Sequence, residues 1–148
     1  MLDVGCGNGA LAFDIADNVP ISSIYAIDIV PENIKQAESL YKRSNITYMH
    51  GDALTDLPDE TFDVIVLSNV LEYIEKRIDF LSALNNRYHP RTMLNRVFCF
   101  DRDWWVSLKK EIDMDYRLDK TRCIEYRYEE FENEIDKAGL YIESARIN

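Results

Sequence analysis

The 148-residue sequence predicts an α/β fold built on a mostly parallel sheet. Three observations carry that expectation. Short apolar runs alternate with single stretches of helical period, the pattern of strands joined by crossover helices. The first run meets a glycine-rich turn at once, in LDVGCGNG, residues 2–9. Later runs end near acids, at Asp28 in YAID and at Asp52 in MHGD. The carboxyl ends of parallel strands are where such sheets take their ligands.

Each element follows from its local pattern. MLDV, 1–4, reads as a short buried strand, and ALAFDIADNV, 10–19, as the helix after the glycines. SIYAID, 23–28, is a second strand. Pro31 suits the first turn of a helix running to about Arg43, with Ile34, Ala37, Leu40 and Tyr41 as its apolar stripe. NITYMH, 45–50, gives a third strand, and GDALTDLPDE, 51–60, a turn-rich connection. FDVIVLS, 62–68, is nearly all apolar, as a strand covered on both faces should be. A helix over 70–87 would turn Ile74, Ile78, Leu81 and Leu84 inward. TMLNRVFCF, 92–100, is a fifth strand candidate. Residues 128–138 form a last helix, stopped by Gly139. YIESARI, 141–147, alternates loosely and suggests a sixth strand. Residues 101–127 break the rhythm with two adjacent tryptophans and many charges, and read as a lid or binding insertion. The alternative is an extra helix near 104–113, packed on the sheet edge by Trp104 and Leu108. One domain over 1–148 is the natural expectation for this length.

Composition narrows the function. The net charge is −10, the opposite of the basic surface a nucleic acid demands. No run of about 20 apolar residues is present to span a membrane. Glycine arrives too soon for a signal peptide. Cys6, Cys99 and Cys123 are odd in number and widely spaced, which fits a reduced, cytoplasmic setting and no metal pattern. His50 and His89 lie far apart, so a His-rich metal site is excluded and no metal is expected.

The glycines carry the chemistry. A strand, a bare turn and a helix bring backbone N–H groups to a helix start, where a ligand can touch the main chain. Gly5-Cys6-Gly7-Asn8-Gly9-Ala10 satisfies G-x-G-x-x-G/A, a dinucleotide pattern that is ambiguous alone. Asp28, at the end of the second strand, is placed to accept both hydroxyls of a ribose, a need that NAD shares with other adenosine ligands; as an alternative it serves a turn or a cap. Asp52 is placed to accept a proton from an adenine amino group, with Ala53 and Leu54 padding the ring; the plainer reading is an Asp turn.

Together these stretches resemble the class I S-adenosylmethionine-dependent methyltransferase domain family, of the broad small-molecule and natural-product type. LDVGCGNG is similar to its first motif, YAIDIVPENIKQAE to the segment after it, and HGDALTDLPDETFDVIVLSNVLEYI to its second and third. The resemblance is specific to about residue 87 and implies a three-layer Rossmann-like methyltransferase fold. It implies S-adenosylmethionine as cofactor, with S-adenosylhomocysteine as product. Asp3 would orient the cofactor's amino-acid end. Gly5, Cys6, Gly7 and Gly9 would lie along it. Asp28 and Ile29 would meet the ribose side, and Asp52, Ala53 and Leu54 the adenine. Asn69 and Val70 would border it near the donor methyl. Many members carry a histidine where Tyr73 stands.

The resemblance implies transfer of a methyl group to a small-molecule or glycan-like acceptor. The family has no universal catalytic residue. Asp101 and Asp103, just past the fifth strand, are candidates for base or acceptor anchor, with a helix cap at Trp104 as the alternative for Asp103. Arg122 stands near where some members have a histidine, and points to an anionic acceptor group; Lys109 and Arg117 are further candidates for the same pocket, with an exposed salt bridge as the equal alternative for each. Trp104, Trp105 and Tyr126 would wall the acceptor, with plain packing of the domain as the alternative. The family's N-terminal helices and seventh strand have no counterpart here, so the chain resembles a domain trimmed at both ends, and a homodimer would cover its exposed sheet edges. A catalytically silent cofactor-binding or partner domain is the second reading, and another nucleotide enzyme such as an NAD oxidoreductase the third.

Overall fold

Strands β1 (Leu2–Val4), β2 (Ile24–Asp28), β3 (Ile46–His50), β4 (Val64–Ser68) and β5 (Thr92–Arg96) form one parallel sheet in the computed structural model, ordered β3-β2-β1-β4-β5. The structure describes all residues except 22, 101–103, 118 and 147–148. Asp101 and Asp103 therefore lie outside the described residues. Helices α1 (Ala10–Asn18), α2 (Pro31–Leu40), α3 (Arg77–Tyr88), α4 (Trp104–Glu111) and α5 (Tyr128–Lys137) complete the described elements. Two compact units result: Met1–Val70 with Tyr88–Arg96, and Leu71–Arg87 with Val97–Asn148.

The first unit is the sheet. β1 lies at its centre, pairing Leu2, Asp3 and Val4 with Tyr25, Ala26 and Ile27 on one side and with Ile65, Val66 and Leu67 on the other. A strand covered on both faces should be apolar throughout, and Leu2, Val4, Ile65 and Leu67 are fully buried. Growth of the sheet switches direction between β1 and β4, which opens a crevice at their carboxyl ends. Helices α1 and α2 both contact β2 and β3. Ala12 and Ala16 let α1 approach closely, and with Ile34 of α2 they join Cys6, Ile24, Ala26 and Ile46 in one cluster. Elsewhere Phe62 packs edge-on between Tyr25 and Tyr88, and the Tyr88 hydroxyl donates to the Pro58 carbonyl at 2.7 Å.

The second unit is tied by buried and partly buried polar groups. Arg77 donates through Nε and Nη2 to the Glu134 carboxylate, at 2.9 and 2.7 Å, and the Tyr126 hydroxyl donates to the same carboxylate at 2.7 Å. Burial and this last bond push the Tyr126 phenol above its ordinary range. Glu72, fully buried in a short 3-10 turn (Leu71–Tyr73), accepts the Phe98 N–H on its side chain at 2.9 Å and the Cys123 N–H on its carbonyl at 2.7 Å.

Several expectations need correction. The helix expected over 70–87 is this turn followed by α3 from Arg77, and of its inward residues Leu81 and Leu84 are buried while Ile74 and Ile78 are half-buried. The fifth strand stops at Arg96; beyond it, among the described residues, Cys99 forms an isolated bridge to Tyr126. No strand forms over 141–146, where Tyr141 is almost wholly exposed: a loose alternation with no strand to pair with stays irregular. The extra helix exists as α4, but Trp104 and Leu108 face outward and do not pack it down.

Glu134 serves two donors at once, so Glu134→Ala leaves Arg77 only the Ile74 and Glu75 carbonyls among the described residues, and leaves the buried Tyr126 phenol unpaired. We expect it to lower unfolding free energy by about 3 kcal/mol in urea titrations. The double variant Arg77→Met/Glu134→Leu should recover part of that loss; a double variant as unstable as Glu134→Ala would refute the burial cost as its source.

Candidate functional site

The loop after β1 is stitched back onto β2. Gly5 and Cys6 both donate their N–H to the Ile27 carbonyl, at 2.8 and 3.0 Å. Gly7 then donates to the Asp28 carboxylate at 2.8 Å. All three glycines have positive φ, of 68°, 56° and 83°, a region that costs a side-chain-bearing residue about 1 kcal/mol or more. Their surroundings differ. A Cβ on Gly9 would stand 2.7 Å from the Tyr48 ring and 2.8 Å from Ala37, so this glycine serves packing. A Cβ on Gly5 would strike Val70. One on Gly7 would meet nothing within 4 Å. Bare backbone at Gly7 thus faces open space.

Asp28 is 8% exposed. Besides Gly7 it accepts the Val30 N–H at 2.9 Å and the Asn33 side-chain amide at 3.1 Å. The turn role considered for this acid is realised: three donors occupy most of its roughly four lone-pair sites. Ile29 beside it is largely exposed. Asp52 forms an Asp turn, accepting the Leu54 N–H at 2.9 Å, while its own N–H donates to Asp56. Ala53 is half-buried and Leu54 exposed. Asn69 takes a left-handed φ of 56° and donates its N–H to the Arg96 carbonyl at 2.8 Å, which delivers Val70 against Gly5.

Asp3 is the unusual residue. It is 1% exposed, and neither carboxylate oxygen has a hydrogen-bond partner among the described residues. Burial, and secondarily the charge of Asp28, raise its pKa from 3.8 to about 7. Burial and these two acids push the Cys6 thiol up to about 12, so it stays protonated and no nucleophile. A buried carboxylate without donors is costly unless a ligand supplies them. A cationic amine would suit Asp3, and a ribose diol and a flat ring would suit Asp28, Ile29, Leu54 and the open Gly7 backbone. The residues present fit an adenosyl amino acid.

The first unit thus gathers Asp3, Gly5, Cys6, Gly7, Gly9, Asp28, Ile29, Asp52, Ala53, Leu54, Asn69 and Val70 at the carboxyl ends of β1 to β4. Arg122 belongs to the second unit, where its guanidinium pairs with buried Glu125 at 2.9 Å and lies over the Tyr73 and Phe98 rings. Tyr126 is fully buried, so it packs the interior and is no acceptor wall. Arg117 pairs with Asp115. Among the described residues no cluster of three or more His, Cys, Asp or Glu could hold a metal ion. Sequence reasoning missed Asn33 and Val30 as partners of Asp28, and Glu72 as a hub. Glu72 had one signal, a lone acid inside the apolar run NVLEYI.

Residues 2–94 match the family described as "Methyltransferase domain". An uncharacterized methyltransferase of Mycobacterium tuberculosis (strain ATCC 25618 / H37Rv) is 34% identical over 91 residues, which cover 61% of this chain and 45% of that protein. The match therefore spans less than half the length of that relative. The structure of the complex between the Haloferax volcanii Trm112 methyltransferase activator and a methyltransferase is similar with a TM-score of 0.75 at 17% identity, over 97% of this chain and 62% of that one. Magnesium protoporphyrin IX methyltransferase from Synechocystis PCC 6803, with bound SAH, gives a TM-score of 0.69 at 17% identity, over 99% and 65%. At these identities the two structures speak for the fold.

Asp3 gives a test by pH. Between about pH 4 and 7 the folded chain keeps a proton on Asp3 that the unfolded chain has released. Its contribution to stability therefore falls as pH rises through that window and levels off above it, by about 4 kcal/mol in all. Urea unfolding of the wild type and Asp3→Asn should show the variant gaining on the wild type by a few kcal/mol between pH 5 and pH 8. An unchanged difference between the two proteins at both pH values would sink the assignment.

Proposed function

We propose, since this chain belongs to the methyltransferase domain family, that it binds S-adenosylmethionine at the carboxyl ends of β1 to β4 and serves methyl transfer to a small-molecule or glycan-like acceptor. The observation that carries this reading is Asp3, a fully buried carboxylate with no donor among the described residues, close enough to Asp28 to feel its charge. When bound, the cofactor supplies an electrophilic methyl on a sulfonium sulfur, leaving S-adenosylhomocysteine.

The chain's own residues do the holding. Asp3 accepts from the amino-acid end of the ligand, and Asp28 from the ribose hydroxyls. Asp52 accepts from the adenine amino group, while Ile29, Ala53 and Leu54 flank the ring. The bare Gly7 backbone permits close approach, and Val70, seated on Gly5, closes the loop's other end. Methyl transfer is a direct displacement, so alignment and exclusion of water carry much of the rate. Residues 101–127 would act as the lid over the acceptor. Asp101 and Asp103 are candidates for base or anchor. Arg122, its charge met by Glu125, would serve by stacking with Tyr73 and Phe98 or by its Nε–H, which has no partner among the described residues. The acidic net charge disfavours nucleic acid as acceptor, and a cytoplasmic location fits the three free cysteines.

A second reading draws on the Haloferax complex, whose methyltransferase is seen with an activator protein. On that reading this chain binds cofactor and is silent without a partner. Both readings require the cofactor site.

Calorimetry should give micromolar binding of S-adenosylmethionine and S-adenosylhomocysteine, and none of NADH. Asp28→Ala should abolish it. Gly7→Ala should weaken it at least tenfold while costing about 1 kcal/mol of stability. If neither adenosyl ligand binds the folded chain, both readings fail. Binding without methyl transfer to any acceptor screened would favour the silent domain.

A further inference from the structure

The two oxygens of the Asp28 carboxylate are used unequally. Oδ1 accepts the Val30 N–H at 2.9 Å and the Asn33 side-chain amide at 3.1 Å. Oδ2 accepts the Gly7 N–H at 2.8 Å and no other donor among the described residues. Each carboxylate oxygen offers about two lone pairs. Oδ1 is therefore full, and Oδ2 keeps one pair. The two sides also differ in access. Val30 is the N-cap of α2 and Pro31 its first residue, so Oδ1 is closed off by a helix start that brings its own donors. Gly7, on the Oδ2 side, faces open space, with nothing within 4 Å of where a Cβ would stand. A ligand entering from there meets the half-filled oxygen first. Donors on both oxygens hold the carboxylate plane in place, and any tilt that opened Oδ1 would break its bond to Val30 or to Asn33.

Of the two donors on Oδ1, one is set by the backbone and one by the sequence. The Val30 N–H belongs to the main chain of the turn and is there whatever the side chain. The Asn33 amide is a side chain, placed in the first turn of α2. An apolar residue at that position would leave a lone pair on each oxygen, and the acid could then take two hydroxyls, one on Oδ1 and one on Oδ2. Asn33 removes that option. We propose that Asn33 is a specificity-determining residue, which by filling Oδ1 limits Asp28 to a single ribose hydroxyl, accepted on Oδ2. The inference rests on the adenosyl site proposed above, and it narrows to one the pair of hydroxyls expected from the sequence. The site then reads one hydroxyl of the ribose strictly and tolerates the loss of the other. Asn33 acts through Asp28 and needs no contact of its own with the ligand.

The test is calorimetry on the chain with S-adenosylhomocysteine and its 2′-deoxy and 3′-deoxy analogues. A hydroxyl bonded to an ionised carboxylate contributes far more than one left to water. In the wild type one analogue should bind at least about tenfold more weakly than the parent, while the other stays within about threefold. Asn33→Ala vacates Oδ1 and puts a strong helix former into α2, so it should keep the wild-type circular dichroism. In this variant the analogue that the wild type tolerates should also fall at least about tenfold below the parent. A merely structural role for Asn33 would shift all three ligands together and leave their ratios unchanged, and that result overturns the proposal. So does a wild type that loses both analogues alike, since Asp28 then holds both hydroxyls despite Asn33, or a wild type that loses neither. Failure of the parent to bind at all would instead refute the adenosyl site itself, and this inference with it.

Discussion

The carboxylate of Asp28 holds the ligand end of the sheet together. It sits at the end of β2 and accepts amides from the loop after β1 and from the turn into α2. One residue earlier the Ile27 carbonyl accepts two more. The path of the loop after β1 is therefore dictated from outside itself, by the end of the neighbouring strand. Hydrogen bonds to an ionised acceptor are stronger than neutral ones, and they offset the left-handed conformations the loop must adopt. The start of α1 and the exposure of the Gly7 backbone follow from that anchoring, while Asn69, held by the Arg96 carbonyl, brings Val70 onto Gly5.

The sheet and the glycine-rich loop after β1 were legible because their signals are local. An apolar tripeptide before alternating glycines can hardly be other than a strand and a tight turn, and the acids at 28 and 52 close runs whose register the parallel ladder then fixes. The roles of the glycines were less legible. Nothing in the sequence says that Gly9 makes room for Tyr48 and Ala37 while Gly7 opens outward, since the neighbours that separate them lie roughly 30 to 40 residues away. Nor does a sequence motif mark Asn33, whose amide finds Asp28 from the first turn of α2.

Beyond residue 70 the reading weakened for a physical reason. The second unit is held by long-range polar contacts, such as Glu72 to Phe98 and Cys123, and Arg77 to Glu134, and such contacts leave no periodic trace. Tyr126 illustrates the error this invites. In sequence it resembled an exposed aromatic of a binding insertion; in the fold its ring is buried and its hydroxyl is spent on Glu134. Helix α4 invites the opposite error. Its apolar stripe is the usual mark of an inward face, and only the stacking of Lys110 on two rings reverses it.

On the proposed function, the buried Asp3 couples ligand binding to protons. Burial raises its carboxyl pKa to about 7, so it exchanges its proton near neutral pH. An ammonium group seated against it would favour the ionised form and drive that proton into solution. The heat of binding would then include the buffer's heat of protonation, and so would change between phosphate and Tris at constant affinity. The interior of the strand, and not the ligand alone, would set how acidity in the surroundings is felt at the crevice.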